Sequence, residues 1–451
     1  MLNVNNNKQV SVKNFEKRDF KVIESVILFL KIMIDQTLLD WLSEPSRFTV
    51  FRVNNLKKFD IKLLQNCLQS QSTELNSTNI PKFYFMNSDC LIIEQWPEHI
   101  SFEKTKNEVI VDSKCAAAVL RGSHIYAPGV LGLPPNGEFN DRIDIYCDLD
   151  GQCKKGLKIQ YNGKKKYVGT GYLRMLRYEL FNNGIEPSGI AVYTLFSESR
   201  LPIINETIYP EGQVLLQNFP SIVAGWVVNA KPYEYILDMC AAPGNKTTHL
   251  AEMSNDKANI IAIDKTVEKV KKIHKTCETQ DVTCVTAYVF DSTKCHSEDN
   301  STSHPPFSTN TFDKVLLDAP CSGLGQRPQL NNKISPRMLQ SYKFVQRKLF
   351  DAAVKVLKVG GKLVYSTCTI TVEENEGMVS WALEKFPCLQ LTNAEPFYGG
   401  PGLPNVGLSD EQRLMVQRFG PEEDLLRPVE NLSRNTIGFF IAAFTKVVPV
   451  S

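Results

Sequence analysis

Residues 235–247 read YILDMCAAPGNKT: a short apolar run, Tyr235 to Cys240, breaks into a tight turn and opens a polar segment at Lys246 that suits a helix. A strand passing through such a turn into a helix brings backbone amides against a ligand. The turn holds one glycine, Gly244, so the GxGxxG pyrophosphate fingerprint is absent. A GxxxxGK[ST] phosphate loop would require glycine at both Cys240 and Asn245.

Outward from this turn, strand-like and helix-like segments alternate. IIAID (Ile260 to Asp264), CVTAYVFD (Cys284 to Asp291), KVLLDAP (Lys314 to Pro320) and KLVYSTC (Lys362 to Cys368) are short apolar runs of the kind that fills a buried parallel sheet. Helical patterns at Lys246 to Met253, Thr266 to Glu278, Ser341 to Leu357 and Val372 to Lys385 separate them, and Thr436 to Lys446 reads as one more strand. The expectation is an α/β, doubly wound, Rossmann-like sheet, which binds ligands outside the carboxyl ends of its strands. Ser292 to Asn310, rich in Ser, Asp, Asn and Pro, reads as a flexible surface insertion.

The segments before it have a different texture. Residues 1–107 read as a small α/β unit, with a helical stretch at Asn14 to Leu42, the β-like FTVFRVN (Phe48 to Asn54) and the apolar-periodic FDIKLLQNCLQ. From 108 to 201, short runs such as VIV, AVL, IDIYCDL and KYVG are punctuated by glycines, as in a compact β-barrel. Residues 202–451 form the Rossmann-like unit. The chain carries a net charge of only +2. Between Gly151 and Arg177, however, Lys154, Lys155, Lys158, Lys164, Lys165, Lys166, Arg174 and Arg177 stand without one acidic residue, a local cationic patch.

Twelve cysteines in 451 residues are sparse, with no CxxC pair. Reduced thiols are expected and a structural zinc site is not, so no metal is expected. The start is polar and charged, without a basic n-region leading into an apolar run, so no secretory signal is read. Val22 to Leu42 carries Lys31, Asp35 and Asp40 and falls short of a bilayer span. A cytoplasmic monomer with no membrane partner is the expectation.

Asp264 follows Gly244 by twenty residues, the distance at which a carboxylate reaches ribose hydroxyls in this fold. With no diphosphate site, an adenosine-bearing ligand that lacks a diphosphate fits best, hence S-adenosylmethionine. Asp291, ending the third strand, would sit near the adenine. Singly, each aspartate is more often a cap or loop residue; together, at successive strand ends, they favour a site. Two cysteines also fall just past strand ends, in Asp318-Ala-Pro-Cys321-Ser-Gly and Ser366-Thr-Cys368-Thr. A lone cysteine is usually a small buried hydrophobe, but two at one sheet edge suit methylation of cytosine C5. That carbon is too poor a nucleophile unaided, and a thiolate adding to C6 makes the ring an enamine that can attack a sulfonium methyl. The site should lower the thiol pKa, with the bound sulfonium and Lys246 as positive neighbours. A base must then take the C5 proton, which the second cysteine can do or assist. Asp318 can hydrogen-bond the base edge and support protonation at N3. The target nucleotide must be turned out of its stack.

DMCAAPGNKT, AIDK, DAPCSG and YSTCT resemble, in order between Asp238 and Thr369, the motifs of the NSUN (Nol/Nop/Sun, RsmB-like) family of RNA 5-methylcytosine methyltransferases. The resemblance implies a class I methyltransferase domain with Cys368 as nucleophile and Cys321 promoting release, and with Asp318 and Lys246 in the catalytic site. It assigns cofactor contacts to Cys240, Ala241, Ala242, Pro243, Gly244, Asn245, Lys246, Asp264, Asp291 and Asp318. Asn245 departs from the pattern, standing where the family usually has a second glycine. RVN (Arg52 to Asn54) and QNFPS (Gln217 to Ser221) resemble the family's amino-terminal elements. The middle unit resembles a PUA domain, and AVLRGSHIYAPGV (Ala118 to Val130) with CKKG (Cys153 to Gly156) looks closest to the family's PUA-containing sixth member. That implies a transfer RNA substrate, modified in the acceptor stem beside the CCA end, with messenger RNA sites of similar sequence. Arg121, Tyr126, Lys154 and Lys155 would contact the RNA, lysines on phosphates and the aromatic on an unpaired base.

One rival reading is a non-catalytic RNA-binding protein that keeps the fold; retention of both cysteines, Lys246 and Asp318 argues against it. A dinucleotide-dependent oxidoreductase on the same sheet lacks its diphosphate glycines.

Overall fold

A computed structural model describes residues 36–449, except 99, 182–185, 299–303, 332–333 and 422–430. Of the helical stretch expected at Asn14 to Leu42, all but the residues from 36 onward lies outside the described part, as does most of the apolar run from Val22. The helix Gln36–Ser43 is described.

Three sheets organise the chain. The first has the antiparallel order β10 (Val214–Leu216), β1 (Phe48–Val53), β3 (Cys90–Glu94), β2 (Phe83–Asn87). Side chains alternate across a strand. Phe51 and Val53 pack with Leu64 and Leu68 of the helix Ile61–Glu74, which Asp60 caps by accepting from Lys62 N. Val50, Cys90 and Ile92 face the other way, into the core around the helix Phe219–Val228. The expected boundary at residue 202 needs correcting. β10 pairs with β1, so the first sheet takes a strand from the segment after the barrel, and the chain leaves this unit and returns to it.

The second sheet runs β5 (Ile125–Tyr126), β9 (Ile190–Ser197), β8 (Lys165–Leu173), β7 (Arg142–Asp148), β4 (Glu108–Val111), β6 (Val130–Gly132). Its end strands, β5 and β6, are joined by only Ala127–Gly129. Strands at opposite edges can be so close in the chain only if the sheet curls on itself. AVL, expected in a strand, lies instead at the end of the helix Ser113–Val119. The Asp112 carboxylate accepts from Cys115 N, and three alanines follow, so cap and propensity override the β-like run.

The third sheet has the order β13 (Val285–Val289), β12 (Asn259–Asp264), β11 (Tyr235–Asp238), β14 (Phe312–Asp318), β15 (Leu357–Thr367), β18 (Phe439–Lys446), β16 (Leu389–Thr392), with β17 (Gln417–Phe419) also on β18. The strands from β13 to β15 are parallel, whereas β18 runs antiparallel between β15 and β16. The register puts Asp238, Asp264, Asp318 and Thr367 at one sheet edge, as the strand-ends expected from sequence. The helices Asn245–Met253, Val267–Gln280, Pro336–Val356 and Glu376–Lys385 separate the strands. The insertion at Ser292 to Asn310 is less free than its composition suggested. Cys295 and Phe307 are buried in the core, and Ser292 Oγ donates to Met239 O at 2.6 Å, so two apolar anchors pin the ends of a polar segment.

Candidate active site

The turn after β11 is held from three sides. Ala241 N donates to Ile263 O of β12 at 3.0 Å. Thr276, on the helix Val267–Gln280, donates to Pro243 O at 2.8 Å. Asp264 accepts from Ala242 N at 3.1 Å, from Lys265 N at 2.7 Å, and from Lys269 Nζ at 2.9 Å. Gly244 adopts φ +111, and a Cβ there would lie 3.2 Å from Thr276 Cβ, so the turn accepts no side chain at that position. Asn245 begins the helix that follows. Asp238 is buried, accepts from Thr247 Oγ1 at 2.7 Å, and is pushed by burial to about 7. Asp291 takes a local role: it caps the turn Ser292–Lys294 by accepting from Thr293 N and Oγ1, with Lys265 at 3.6 Å.

β14 and β15 are neighbours in register, Asp318 opposite Ser366, so the loops that leave them begin side by side. Asp318 pairs with Lys246 Nζ at 2.8 Å and accepts from Ser366 Oγ at 2.7 Å. Cys321 Sγ lies 3.4 Å from Cys368 Sγ. The hydrogen bond from Cys321 is the largest influence holding the Cys368 thiol below its ordinary value; a Gln326 hydrogen bond and the Lys246 charge add to it. The same hydrogen bond, with burial, raises Cys321. Cys321 thus keeps the proton and Cys368 gives it up. Lys246 acts in the expected direction, but its partner Asp318 acts more strongly in the opposite one, as does burial.

Sequence reading missed the group that holds the two cysteine loops together. Glu374, 2% exposed, accepts from Ser322 N (3.0 Å), Ser322 Oγ (2.6 Å), Gln346 Nε2 (2.9 Å) and Thr371 Oγ1 (2.9 Å). Gln346 also donates to Pro320 O. Behind Cys368, Gly325 N donates to its carbonyl at 3.0 Å and Gly438 N donates to Gly325 O at 2.8 Å. The only signal of Glu374 in the sequence is an acidic residue six positions after Cys368, which is too common to single out.

The 16S rRNA methyltransferase RsmB/F family pattern matches residues 226–444. The human tRNA (cytosine(72)-C(5))-methyltransferase NSUN6 is 39% identical, over 96% of this chain and 97% of its own. The chain belongs to the NSUN family. Another member, the tRNA (cytosine(72)-C(5))-methyltransferase of Pyrococcus horikoshii, is 33% identical over 90% of this chain and 91% of its own. The crystal structure of NSun6 from Pyrococcus horikoshii with SFG superposes with a TM-score of 0.71 at 29% identity, covering 95% of this chain and 98% of that one.

In this NSUN-family chain the expected RNA-contact residues belong to the unit of the second sheet. Tyr126 (49% exposed) is on β5. Lys154 and Lys155 are exposed in the loop after β7. Arg121 is exposed and donates to Arg327 O at 3.3 Å, bridging the curled sheet to the loop that carries Cys321. Leu330 of that loop packs against the sheet's core. Two other members of the cationic patch are engaged within the protein. Lys165 pairs with Glu108 and lies over the Tyr146 ring. Arg177 donates to the carbonyls of Leu133, Gly156 and Leu157. Among the described residues no group of three or more His, Cys, Asp or Glu could hold a metal ion, and no helix is long and apolar enough to cross a membrane.

Proposed function

We propose that this chain transfers the methyl group of S-adenosylmethionine to C5 of a cytosine in transfer RNA, in the acceptor stem beside the CCA end. The observation that carries the reading is the 3.4 Å thiol pair next to the Lys246–Asp318 pair. The similarity to tRNA cytosine-72 methyltransferases over nearly the whole chain supports the substrate class.

The residues at the turn fit the cofactor. A carboxylate offers about four acceptor positions; Asp264 uses three, leaving one on Oδ2 for a ligand hydroxyl. Asp238 Oδ1 is buried with no hydrogen-bond partner among the described residues. Gly244, with its positive φ, lets the turn pack closely against the helix Val267–Gln280. Cys240 to Lys246, Asp264, Asp291 and Asp318 would hold the cofactor, which supplies an electrophilic sulfonium methyl when bound.

The chain's own groups supply the rest. Cys368, held toward its thiolate by Cys321, adds to C6 of the turned-out cytosine. Asp318, oriented by Lys246 and Ser366, hydrogen-bonds the base edge and supports protonation at N3. Once the Cys368 sulfur is bonded to C6 it no longer accepts the Cys321 proton; Cys321 gives that proton to solvent, takes the C5 proton as its thiolate, and the electrons of the C5–H bond expel the Cys368 thiolate from C6 as the N3 proton departs. On the curled sheet, read here as a PUA domain, Lys154, Lys155 and Arg121 suit phosphates and Tyr126 suits an unpaired base.

The test is label transfer from methyl-tritiated S-adenosylmethionine to a transfer RNA transcript whose acceptor-stem cytosine beside the CCA end is present or replaced by uridine. Label entering the cytosine transcript alone supports the reading; equal labelling of both, or none, overturns it.

A further inference from the structure

We propose that Arg52, on the first sheet, is a positioning residue for the cofactor turn. The inference rests on the assignment of Cys240 to Lys246 to the cofactor. The alternation along β1 that sends Phe51 and Val53 toward their own helix sends Arg52 toward the helix Asn245–Met253, where it is 0% exposed. One guanidinium nitrogen donates to Gln217 Oε1 at 2.9 Å and to the Asn245 carbonyl. The other donates to Thr248 Oγ1 and to Glu252 Oε1, each at 2.8 Å. Asn245, Thr248 and Glu252 are spaced by three and four residues, so they share one helix face. The first of them directly follows Gly244, and the next residue is Lys246.

A buried ion pair contributes little net stability over an apolar pair of similar volume, because both charges lose their hydration. What the guanidinium adds is geometry: a planar fork with fixed donor directions, which here fixes the start of the helix against the first sheet. A second contact acts on the same helix. Asp89, in the turn between β2 and β3, accepts from His249 Nε2 at 2.7 Å and from Trp226 Nε1 at 2.8 Å. The cofactor turn is thus set by Asp264 and Thr276 from its own unit and by Arg52 from a sheet outside it. RVN and QNFPS, far apart in sequence, meet here through Arg52 and Gln217.

Arg52→Ala would leave Glu252 buried without its partner and could simply unfold the chain. The double variant R52M/E252M removes both charges at similar volume and keeps the packing. Two readouts are taken on full-length protein: binding of S-adenosylhomocysteine by calorimetry, and amide hydrogen exchange without ligand. The double variant is expected to bind S-adenosylhomocysteine roughly ten- to a hundredfold more weakly, the cost of a small displacement at a binding turn. Its transfer RNA affinity should be unchanged, and residues 245–249 should exchange faster while β18 does not. Wild-type cofactor affinity in the double variant overturns the inference, whatever the exchange rates. If the wild-type protein itself does not bind S-adenosylhomocysteine, the cofactor assignment fails instead; exchange then decides whether Arg52 holds the helix start, and unchanged rates overturn that too.

Discussion

The Cys321 and Cys368 sulfurs lie 3.4 Å apart, within hydrogen-bond distance, across 47 residues of sequence. One proton is shared unequally between two sulfurs: Cys321 is raised and Cys368 lowered by the same contact. The two thiols therefore differ in acidity before any ligand arrives.

Removing each thiol should have a different effect. Cys321→Ala incubated with S-adenosylmethionine and transfer RNA is expected to accumulate a covalent protein–RNA species, seen as a shifted band on a denaturing gel. Cys368→Ala should give neither band nor methylation while retaining RNA binding. A band that persists in a C321A/C368A double variant would remove Cys368 from the nucleophile role.

The hydrogen bond also sets a pH dependence. Cys368 is lowered to about 7, so its thiolate becomes populated as pH rises through 7 and is lost below it. Alkylation of Cys368 by iodoacetamide should rise through that range and level off above it. In Cys321→Ala the donor is gone, the midpoint moves to higher pH, and alkylation at pH 7 slows by roughly tenfold. An unmoved midpoint would assign the lowered value to Lys246 or Gln326 instead.

Glu374 holds four donors from three segments in a buried site. Glu374→Ala leaves those donors unsatisfied and should cost about 3 kcal/mol in urea unfolding. Glu374→Gln, which keeps one acceptor oxygen, should cost less yet lower kcat more than it raises KM, because Ser322 is the neighbour of Cys321. Wild-type kcat in the glutamine variant would confine Glu374 to stability.

Gly325 leaves no room for a side chain. A Cβ there would lie 2.1 Å from Gly438 O and 2.9 Å from Cys368 O, both backbone atoms. Gly325→Ala should destabilise the protein by about 1–3 kcal/mol and reduce Cys368 alkylation, as its backbone is displaced. Thermal unfolding together with the alkylation rate checks both effects.

On the RNA side, Lys154→Ala/Lys155→Ala should weaken transfer RNA binding and flatten its salt dependence by roughly 0.7–0.9 in log–log slope for each phosphate that is no longer neutralised. Lys165→Ala should leave the slope nearly unchanged, since that lysine is engaged with Glu108. Equal slope changes in the two variants would make the patch a diffuse field.

The parallel sheet, its strand-to-helix turns and the residues at the strand ends were all legible from local pattern. Apolar runs, turn glycines and the placing of Asp238, Asp264, Asp318 and the two cysteines are properties of short segments, and strand polarity carries all of them to one edge. AVL misled because a cap at Asp112 and a run of alanines outweigh a short β-like run. The anchors Cys295 and Phe307 were hidden because composition cannot show where a chain turns back into the core.

What the sequence alone determined is which chemical groups this protein has and at which strand ends they stand. Only the tertiary structure decided which groups touch. The division of acidity between Cys321 and Cys368, the hub at Glu374, the reach of Arg52 into the helix Asn245–Met253 and the bridge from Arg121 to Arg327 each join residues far apart in the chain. Such contacts depend on distances of a few ångströms, and hydrogen bonds and charge interactions fall off steeply beyond them.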